Sequence, residues 1–276
     1  MYINFILLYF LDMKGDIKMK KKSIIGLVLS AVMAFGVLAG CQKADASKED
    51  ASKKYIIACD SKYAPFSFEE SGKYKGIDVE LLEAIAKAEG FEYELKPMDF
   101  SAIIPGLTSN QLDGAIAGMS ITEERKKALD FSEGYFESGL SIVANAKNAS
   151  LNGLNDLNGK SAAIKKGTAG SQFAEDNQSK YSLKLNYFDD SPTMFLDVEN
   201  GNSDFLLEDY PVIAYKIKVD GSSKLKIAGD KLSSVDYGFA VNKGKNAELL
   251  KKFNDGLKKL KENGEYDKIV GQYIGK

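Results

Sequence analysis

The hydrophobic and polar positions from residue 55 onward follow two alternating periods. Short apolar runs, typical of buried strands, are separated by segments in which apolar residues recur every three or four positions, typical of amphipathic helices. The predicted strands are Tyr55–Cys59, Glu92–Pro97, Gly114–Ala117, Leu140–Ala144, Ser161–Ile164, Leu183–Phe188, Phe205–Leu207 and Tyr237–Val241. The predicted helices are Val79–Ala88, Ala102–Thr108, Glu123–Leu129, Ser171–Asn177, Pro192–Asn200, Pro211–Val219, Asn246–Glu262 and Tyr266–Tyr273. This alternation predicts an α/β fold with largely parallel sheets, whose ligands bind beyond the carboxyl ends of the strands.

The N-terminal segment has the three parts of a signal peptide. Basic residues at Lys20 to Lys22 precede an apolar run from Ile24 to Leu38, and small residues follow. The run is shorter than the roughly 20 residues that cross a membrane comfortably. We therefore predict that residues 1–40 are a signal peptide; the alternative is a retained membrane anchor.

The sequence Leu38-Ala39-Gly40-Cys41 resembles a bacterial lipobox. The resemblance implies that Cys41 carries a lipid and becomes the mature N-terminus. Met19 would then be the natural start, and residues 1–18 would not be translated. Residues 41–53 are small or charged and predict a flexible tether.

Composition and charge narrow the classes of function. The chain has 37 basic and 39 acidic residues and no histidine. Without residues 1–40, which hold five lysines and two aspartates, 32 basic and 37 acidic residues remain, a net charge of −5. This balance gives no basic surface for nucleic acid. The absence of histidine weighs against the common hydrolase and zinc sites, and we predict no cofactor and no bound metal.

Two clusters in the first half of the chain carry chemistry. The loop from Gly118 to Thr122, with Ser120, ends a strand, and Arg125 then lies in the first turn of a helix. Free backbone N–H groups beside a guanidinium favour a carboxylate ligand; the alternative is an ordinary solvated arginine. Asp60 follows the first strand and precedes a run of aromatic residues, which is typical of a capped turn with core aromatics; the alternative is a site for an amide or ammonium group.

Two clusters in the second half lie in the same position relative to strands. The segment from Lys165 to Ser171 follows a strand and precedes a helix, but it lacks the spacing of a phosphate-binding loop. Glu208 and Asp209 lie between a predicted strand and a predicted helix. These carboxylates are suited either to neutralising an ammonium group or to capping the helix.

The order of these motifs resembles the polar amino acid-binding proteins of ABC importers. The segments that carry the resemblance are DSKYAPFSF, KGIDVELLEAIAK, YELKPMDFSAIIPGL, AGMSITEERKKALDFSEGYFESG, LNGKSAAIKKGTAGS, GNSDFLLEDYP and LKKLKENGEYDKIVGQYIG. They span essentially all of residues 54–276, and YELKPMDFSAIIP is similar to the glutamine-binding proteins.

The resemblance implies a two-lobed clamp of the periplasmic-binding-protein type, with a discontinuous first lobe. Lobe one would comprise residues 54–134 and 238–276, and lobe two residues 140–232. Two hinge crossings, about 135–139 and 233–237, would join the lobes.

The resemblance also implies a role for each site residue. Arg125, with the backbone at Gly118 and Ser120, would hold the α-carboxylate of an amino acid, and Asp209 would pair with its α-ammonium. Tyr63 and Phe100 would enclose its aliphatic part, Asp60 and Lys165 would reach its side-chain end, and Thr168 and Ala169 would add backbone contacts. The resemblance thus implies a lipid-anchored protein, monomeric and not an enzyme, on the outer face of a Gram-positive-type cell membrane, which delivers its ligand to an ABC permease.

The ligand that the sequence favours is glutamine. Ser120, Ala169 and Glu208 depart from the residues of typical glutamine binders, namely threonine, glycine and histidine. Glu208 with Asp60 favours a cationic ligand, whereas Lys165 opposes one. Arginine or lysine, histidine and cystine remain alternatives within the family. A dehydratase-like enzyme on the same scaffold is the alternative from another class.

Overall fold

A computed structural model describes residues 53–221 and 224–275. The predicted signal peptide, Cys41 and all but the last residue of the predicted tether lie outside these residues. None of the helices in the described ranges is long and apolar enough to cross a membrane.

The described ranges form 15 strands, nine α-helices and one short 3-10 helix. The strands are β1 (Lys54–Asp60), β2 (Lys62–Tyr63), β3 (Ser67–Glu70), β4 (Lys73–Lys75), β5 (Glu92–Met98), β6 (Gly114–Ala115), β7 (Leu129–Phe131), β8 (Phe136–Ser138), β9 (Leu140–Asn145), β10 (Ser161–Lys165), β11 (Lys184–Phe188), β12 (Phe205–Asp209), β13 (Leu225–Ile227), β14 (Val235–Tyr237) and β15 (Ala240–Asn242). The α-helices are α1 (Ile77–Glu89), α2 (Phe100–Thr108), α3 (Glu123–Lys126), α4 (Ala169–Asp176), α5 (Gln178–Tyr181), α6 (Ser191–Glu199), α7 (Tyr210–Asp220), α8 (Ala247–Glu262) and α9 (Glu265–Tyr273).

The strands of each lobe form a five-stranded mixed sheet. The first sheet has the order β5-β1-β6-β15-β7, so it takes strands from both ends of the described chain. The second has the order β11-β10-β12-β9-β13. This arrangement confirms the predicted two-lobed α/β fold.

Half of the pairings in each sheet are antiparallel, so the prediction of largely parallel sheets was wrong. Strand β1 is parallel to β5 and β6, and β10 is parallel to β11 and β12. Strands β15 and β9, by contrast, pair antiparallel with both of their neighbours. Each of these two strands follows a crossing strand with no helix between them, so neither is reached through the helical crossover that joins parallel strands.

Aliphatic and aromatic side chains fill the space between each sheet and its helices. In the first lobe, Leu249, Phe253, Leu257 and Leu260 lie on one face of α8 and are buried. The ring of Phe253 stacks on that of Phe239, with centroids 4.5 Å apart. The three- and four-residue spacing that predicted this helix is therefore the spacing of its buried face.

Two short strands cross between the lobes. Strands β8 and β14 pair antiparallel, with Phe136 opposite Tyr237. The predicted strand Tyr237–Val241 is in fact the end of β14 and the start of β15, separated by Gly238 and Phe239. A side chain at Gly238 would lie 2.9 Å from the side chain of Ile121, which would have to shift. Both strands fall within the predicted hinge segments, whose role in closure stays a prediction.

Other differences from the predicted elements concern short segments. The predicted helix 123–129 ends at Lys126, since buried Leu129 pairs with Asn242 at the edge of the first sheet. Strands β2, β3 and β4, which form a separate antiparallel sheet, were not predicted. Glu208 and Asp209 are the last residues of β12 and not a linker.

Candidate functional site

The candidate site lies between the lobes, at the carboxyl ends of strands from both sheets. A small cavity there, of about 10 Å³, is lined by nine of the ten predicted ligand-binding residues: Tyr63, Phe100, Gly118, Ser120, Arg125, Lys165, Thr168, Ala169 and Asp209. The tenth, Asp60, lies against it through an ion pair with Lys165. A volume of this size holds about one water molecule. An amino acid therefore needs the lobes to separate before it can enter.

Arg125 is placed by the short helix α3. Thr122 caps this helix, and its Oγ accepts a hydrogen bond from the Arg125 N–H at 3.2 Å. The guanidinium donates to the carbonyl of Ser120 at 2.8 Å and to that of Gly167 at 3.1 Å. Since Gly167 belongs to the second lobe, Arg125 links the two lobes. Burial lowers the pKa of Arg125 and the nearby Asp209 opposes this shift, but an arginine stays charged in proteins.

Asp209, at the end of β12, carries the charge opposite to that of Arg125. Its Oδ2 accepts hydrogen bonds from the hydroxyls of Tyr237 at 2.5 Å and Tyr63 at 2.9 Å. Burial raises the pKa of Asp209, while the two hydroxyls and Arg125 lower it. Tyr63 belongs to the first lobe and Tyr237 to a crossing strand, so this carboxylate also connects the parts of the clamp.

Lys165, which lines the cavity, forms a buried ion pair with Asp60. Both side chains are 2% exposed. The Lys165 ammonium lies over the rings of Tyr63 and Phe100, 4.5 and 5.8 Å from their centroids. Asp60 also accepts the N–H of Lys62 at 3.0 Å. A donor and an acceptor are thus held side by side, with the donor close to two aromatic rings.

The N-terminus of α4 forms the remaining wall. The Oγ1 of Thr168 accepts the N–H of Ser171 at 3.2 Å and donates to the carbonyl of Lys165 at 2.7 Å. Ala169 is the first residue of the helix. The predicted backbone contacts of Thr168 and Ala169 stay a prediction.

Glu208 is buried behind Tyr63 and is not part of the cavity wall. Its Oε1 accepts the N–H of Asp209 at 2.9 Å and the hydroxyl of Tyr63 at 3.3 Å, and its Oε2 accepts the hydroxyl of Ser191 at 2.7 Å. Burial, followed by the neighbouring Asp209, raises the pKa of Glu208 to about 7, against the effect of Lys165.

Sequence reasoning missed Tyr237 and Ser191, whose hydroxyls donate hydrogen bonds to the carboxylates of Asp209 and Glu208, respectively. Tyr237 is 28 positions from Asp209, and its hydroxyl is fully buried between the lobes. No local sequence pattern predicts a contact over this distance. The only signal was that Tyr237 is the last residue of the predicted hinge crossing 233–237.

Comparison with known proteins places the chain in a family. Residues 55–276 match the bacterial extracellular solute-binding proteins, family 3. The arginine-binding extracellular protein ArtP of Bacillus subtilis (strain 168) is 31% identical over 249 residues, which cover 90% of this chain and 96% of ArtP. The ABC transporter glutamine-binding protein GlnH of the same strain is 30% identical over 274 residues, which cover 92% of this chain and 97% of GlnH.

A solved structure is similar to this chain in both fold and sequence. An ancestral arginine-binding protein bound to arginine has a TM-score of 0.76 and 39% sequence identity, covering 80% of this chain and 98% of that one. The family match spans nearly all of the described residues, and the named relatives bind amino acids. The chain therefore belongs to the bacterial extracellular solute-binding proteins of family 3, among the members that bind amino acids for ABC importers.

Proposed function

We propose that this protein captures free glutamine outside the cell and presents it, with the lobes closed, to an ABC permease. The observation that carries the proposal is that acidic and basic side chains from both lobes meet at one cavity: Arg125, Lys165 and Asp209 line it, and Asp60 lies against it through its ion pair with Lys165. We assign Arg125 and Asp209 to the backbone end of the ligand, and Lys165 and Asp60 to its side-chain end. An amino acid with a polar, uncharged side chain has complementary groups at both ends.

The backbone of the ligand would be held by Arg125 and Asp209. An arginine binds a carboxylate through two parallel hydrogen bonds, and on ligand binding the guanidinium would exchange its backbone carbonyl partners for the α-carboxylate. Asp209 would accept the α-ammonium while keeping its two tyrosine donors. Every charge buried on closure then has a partner, which is the condition under which burial of charge is tolerated.

The side-chain end favours a carboxamide. Its oxygen would accept from the Lys165 ammonium and its amide hydrogens would go to Asp60. Tyr63 and Phe100 would cover the methylene groups between the two ends. A cationic side chain would instead meet Lys165, and two like charges about 4 Å apart repel by about 4 kcal/mol at the effective dielectric constant of a protein site.

Arginine is the second candidate ligand. Glu208 adds a buried carboxylate close to the cavity, and its ionised form favours a positive ligand. The relatives reported above include both arginine and glutamine binders, so the comparisons do not favour glutamine over arginine. The choice of glutamine over arginine rests on Lys165. Histidine and cystine are included as ligands in the titration described below.

Delivery would depend on closure and on tethering. Each end of the ligand would contact both lobes, so the bound ligand would stabilise the closed state in preference to the open one. Lipidation of Cys41 would keep the protein at the membrane, near its permease. The relatives are named as binding proteins, which favours this function over a dehydratase-like enzyme.

The experiment is calorimetric titration of the Arg125→Ala variant with glutamine, arginine, histidine and cystine. Loss of the guanidinium removes two charge-assisted hydrogen bonds common to all amino acids, and we expect at least a roughly 100-fold loss of affinity for each. Lys127→Ala is the matched control, since Lys127 follows closely but pairs with Glu124 on the surface. Tight binding by Arg125→Ala would refute the assignment.

A further inference from the structure

The loop that carries Gly118 and Ser120 is hydrogen-bonded to a buried carboxylate. Asp78, in the first turn of α1, is fully buried. Its Oδ2 accepts the N–H of Gly118 at 2.7 Å, and its Oδ1 accepts the hydroxyl of Tyr135 at 2.7 Å. Tyr135 precedes the crossing strand β8. One carboxylate thus joins the site loop to the first crossing.

The same loop is bonded to the second crossing. Ser120 forms a β-bridge with Tyr237, and the N–H of Ile121 donates to the carbonyl of Asp236 at 2.9 Å. The N–H of Tyr135 donates to the carbonyl of Tyr237 at 2.9 Å, which connects the two crossings. Displacement of the loop therefore acts on both crossing segments at once.

Gly118 itself allows little freedom. Its φ is +53°, a left-handed conformation, and a side chain there would lie 2.5 Å from the ring of Tyr63. The hydrogen bond from its N–H to Asp78 fixes the peptide in this conformation against the aromatic wall of the cavity.

Burial of the Asp78 carboxylate disfavours its charged form. Burial raises the pKa of Asp78 to about 7, despite the hydrogen bonds from Tyr135 and Gly118. The ionisable groups that act on it are Tyr135, beside the first crossing, and Asp60 and Cys59, both at the end of β1. None of these three supplies a positive charge, and no ion pair of Asp78 is found within residues 53–221 and 224–275. Burial of an acid without a cation costs stability, so a role for Asp78 rests on its hydrogen bonds.

We infer that Asp78 is a positioning residue, which sets the ligand-binding conformation of Gly118 and couples the site loop to the crossing segment at Tyr135. It is not itself among the residues that line the cavity, and it acts on the ligand through the backbone of Gly118. The inference rests on the proposed function of the site. It predicts that loss of Asp78 weakens every amino acid equally, because the backbone contacts are common to all of them.

The test compares Asp78→Ala with Asp78→Asn. Alanine removes the shorter of the two hydrogen bonds from the Gly118 N–H and leaves only the one to the Tyr135 hydroxyl at 3.2 Å, and we expect affinity for each bound amino acid to fall about tenfold or more. Asparagine keeps an oxygen that accepts from Gly118 and is expected to restore affinity to within about threefold of the wild type. Hydrogen exchange of the Gly118 amide, followed in the same proteins, is expected to quicken in the alanine variant and to return in the asparagine variant.

Two further variants keep the test decisive. Asp113→Ala is the matched control, since Asp113 also accepts a backbone N–H, that of Ile56 at 2.9 Å, but lies away from the cavity. It is expected to leave affinity unchanged. If Asp78→Ala does not fold, Tyr135→Phe removes one of the two donors to Asp78 and is expected to weaken all ligands about fivefold.

The outcomes separate this inference from the proposed function. Wild-type protein that binds no amino acid overturns both. Wild-type binding with equal affinity in folded Asp78→Ala, or in Tyr135→Phe where that variant stands in, overturns the positioning role alone. Unequal losses among the ligands also overturn it, since they would place Asp78 in contact with ligand side chains.

Discussion

Replacement of Lys165 by methionine tests the choice of ligand. Methionine is close to lysine in length but carries no charge, so the change removes the ammonium and keeps a buried apolar chain of similar size. The ammonium is paired with Asp60, and both groups are 2% exposed. Loss of one partner of a buried pair costs about 3–5 kcal/mol, because the other charge is left uncompensated.

The two candidate ligands are expected to respond in opposite directions. Glutamine loses a hydrogen bond from a charged donor, about 1.5–3 kcal/mol, and its affinity falls roughly tenfold to 100-fold. Arginine escapes a repulsion of about 4 kcal/mol and brings a guanidinium to the unpaired Asp60, so its affinity rises by at least about tenfold. Arginine also restores part of the lost thermal stability, since a ligand that binds only the folded state stabilises it.

The assay is calorimetric titration with each ligand, together with thermal unfolding in the presence and absence of arginine. Lys160→Met is the control, because Lys160 pairs with Asp204 at 3.7 Å at a partly exposed position in the same lobe. The double variant Asp60→Asn/Lys165→Met removes the unpaired charge and is expected to lose the gain for arginine. An unchanged ratio of glutamine to arginine affinity in Lys165→Met would refute the reasoning.

Three further predictions concern other parts of the site. Asp60→Ala leaves the Lys165 ammonium buried and unpaired, so we expect a loss of about 3–5 kcal/mol of stability and an altered preference among ligands; calorimetry showing equal loss for all ligands would contradict this. Gly118→Ala forces a left-handed conformation that costs about 1–2 kcal/mol and drives a methyl group into Tyr63, so titration should show weaker binding of every amino acid and thermal unfolding a lower midpoint. Glu208 has its pKa raised from 4.5 to about 7 in the folded protein, so the stability from its protonation is complete below about pH 4.5 and is lost as the pH rises through 7. Denaturant unfolding across this range should therefore show a shallower pH dependence for Glu208→Gln, by on the order of 3 kcal/mol, and identical profiles would contradict the assignment.

The strongest periodic segments of the sequence predict the fold best. Helix α8 has a buried face spaced at three and four residues, and its observed bounds differ from the predicted ones by a single residue. Strands of two to four residues, such as β2 and β7, contain too few positions for a period to emerge. The break between β14 and β15 could not be predicted either, because the sequence shows no polar break at Gly238 and Phe239. Here the chain passes from the two-stranded sheet of β8 and β14 to the first five-stranded sheet.

The residues of the candidate site were assigned from the resemblance to amino acid-binding proteins. Their position agrees with strand topology, since Asp60, Lys165 and Asp209 each end a strand and ligands of α/β folds bind beyond the carboxyl ends of strands. The network around them was not accessible to sequence reasoning. Tyr237 and Asp78 reach the site from a crossing strand and a distant helix, and their hydrogen bonds join residues 28 and 40 positions apart.

The central claim is that opposite charges from the two lobes capture a free amino acid. The most direct measurement is calorimetric titration of the purified protein, unfolded and refolded to remove carried-over ligand, with glutamine, arginine, histidine and cystine. The account predicts one-to-one binding of glutamine at micromolar or tighter affinity, about −8 to −10 kcal/mol, with arginine much weaker. Tighter binding of arginine would contradict the role given to Lys165, and absence of binding by all four would contradict the clamp itself.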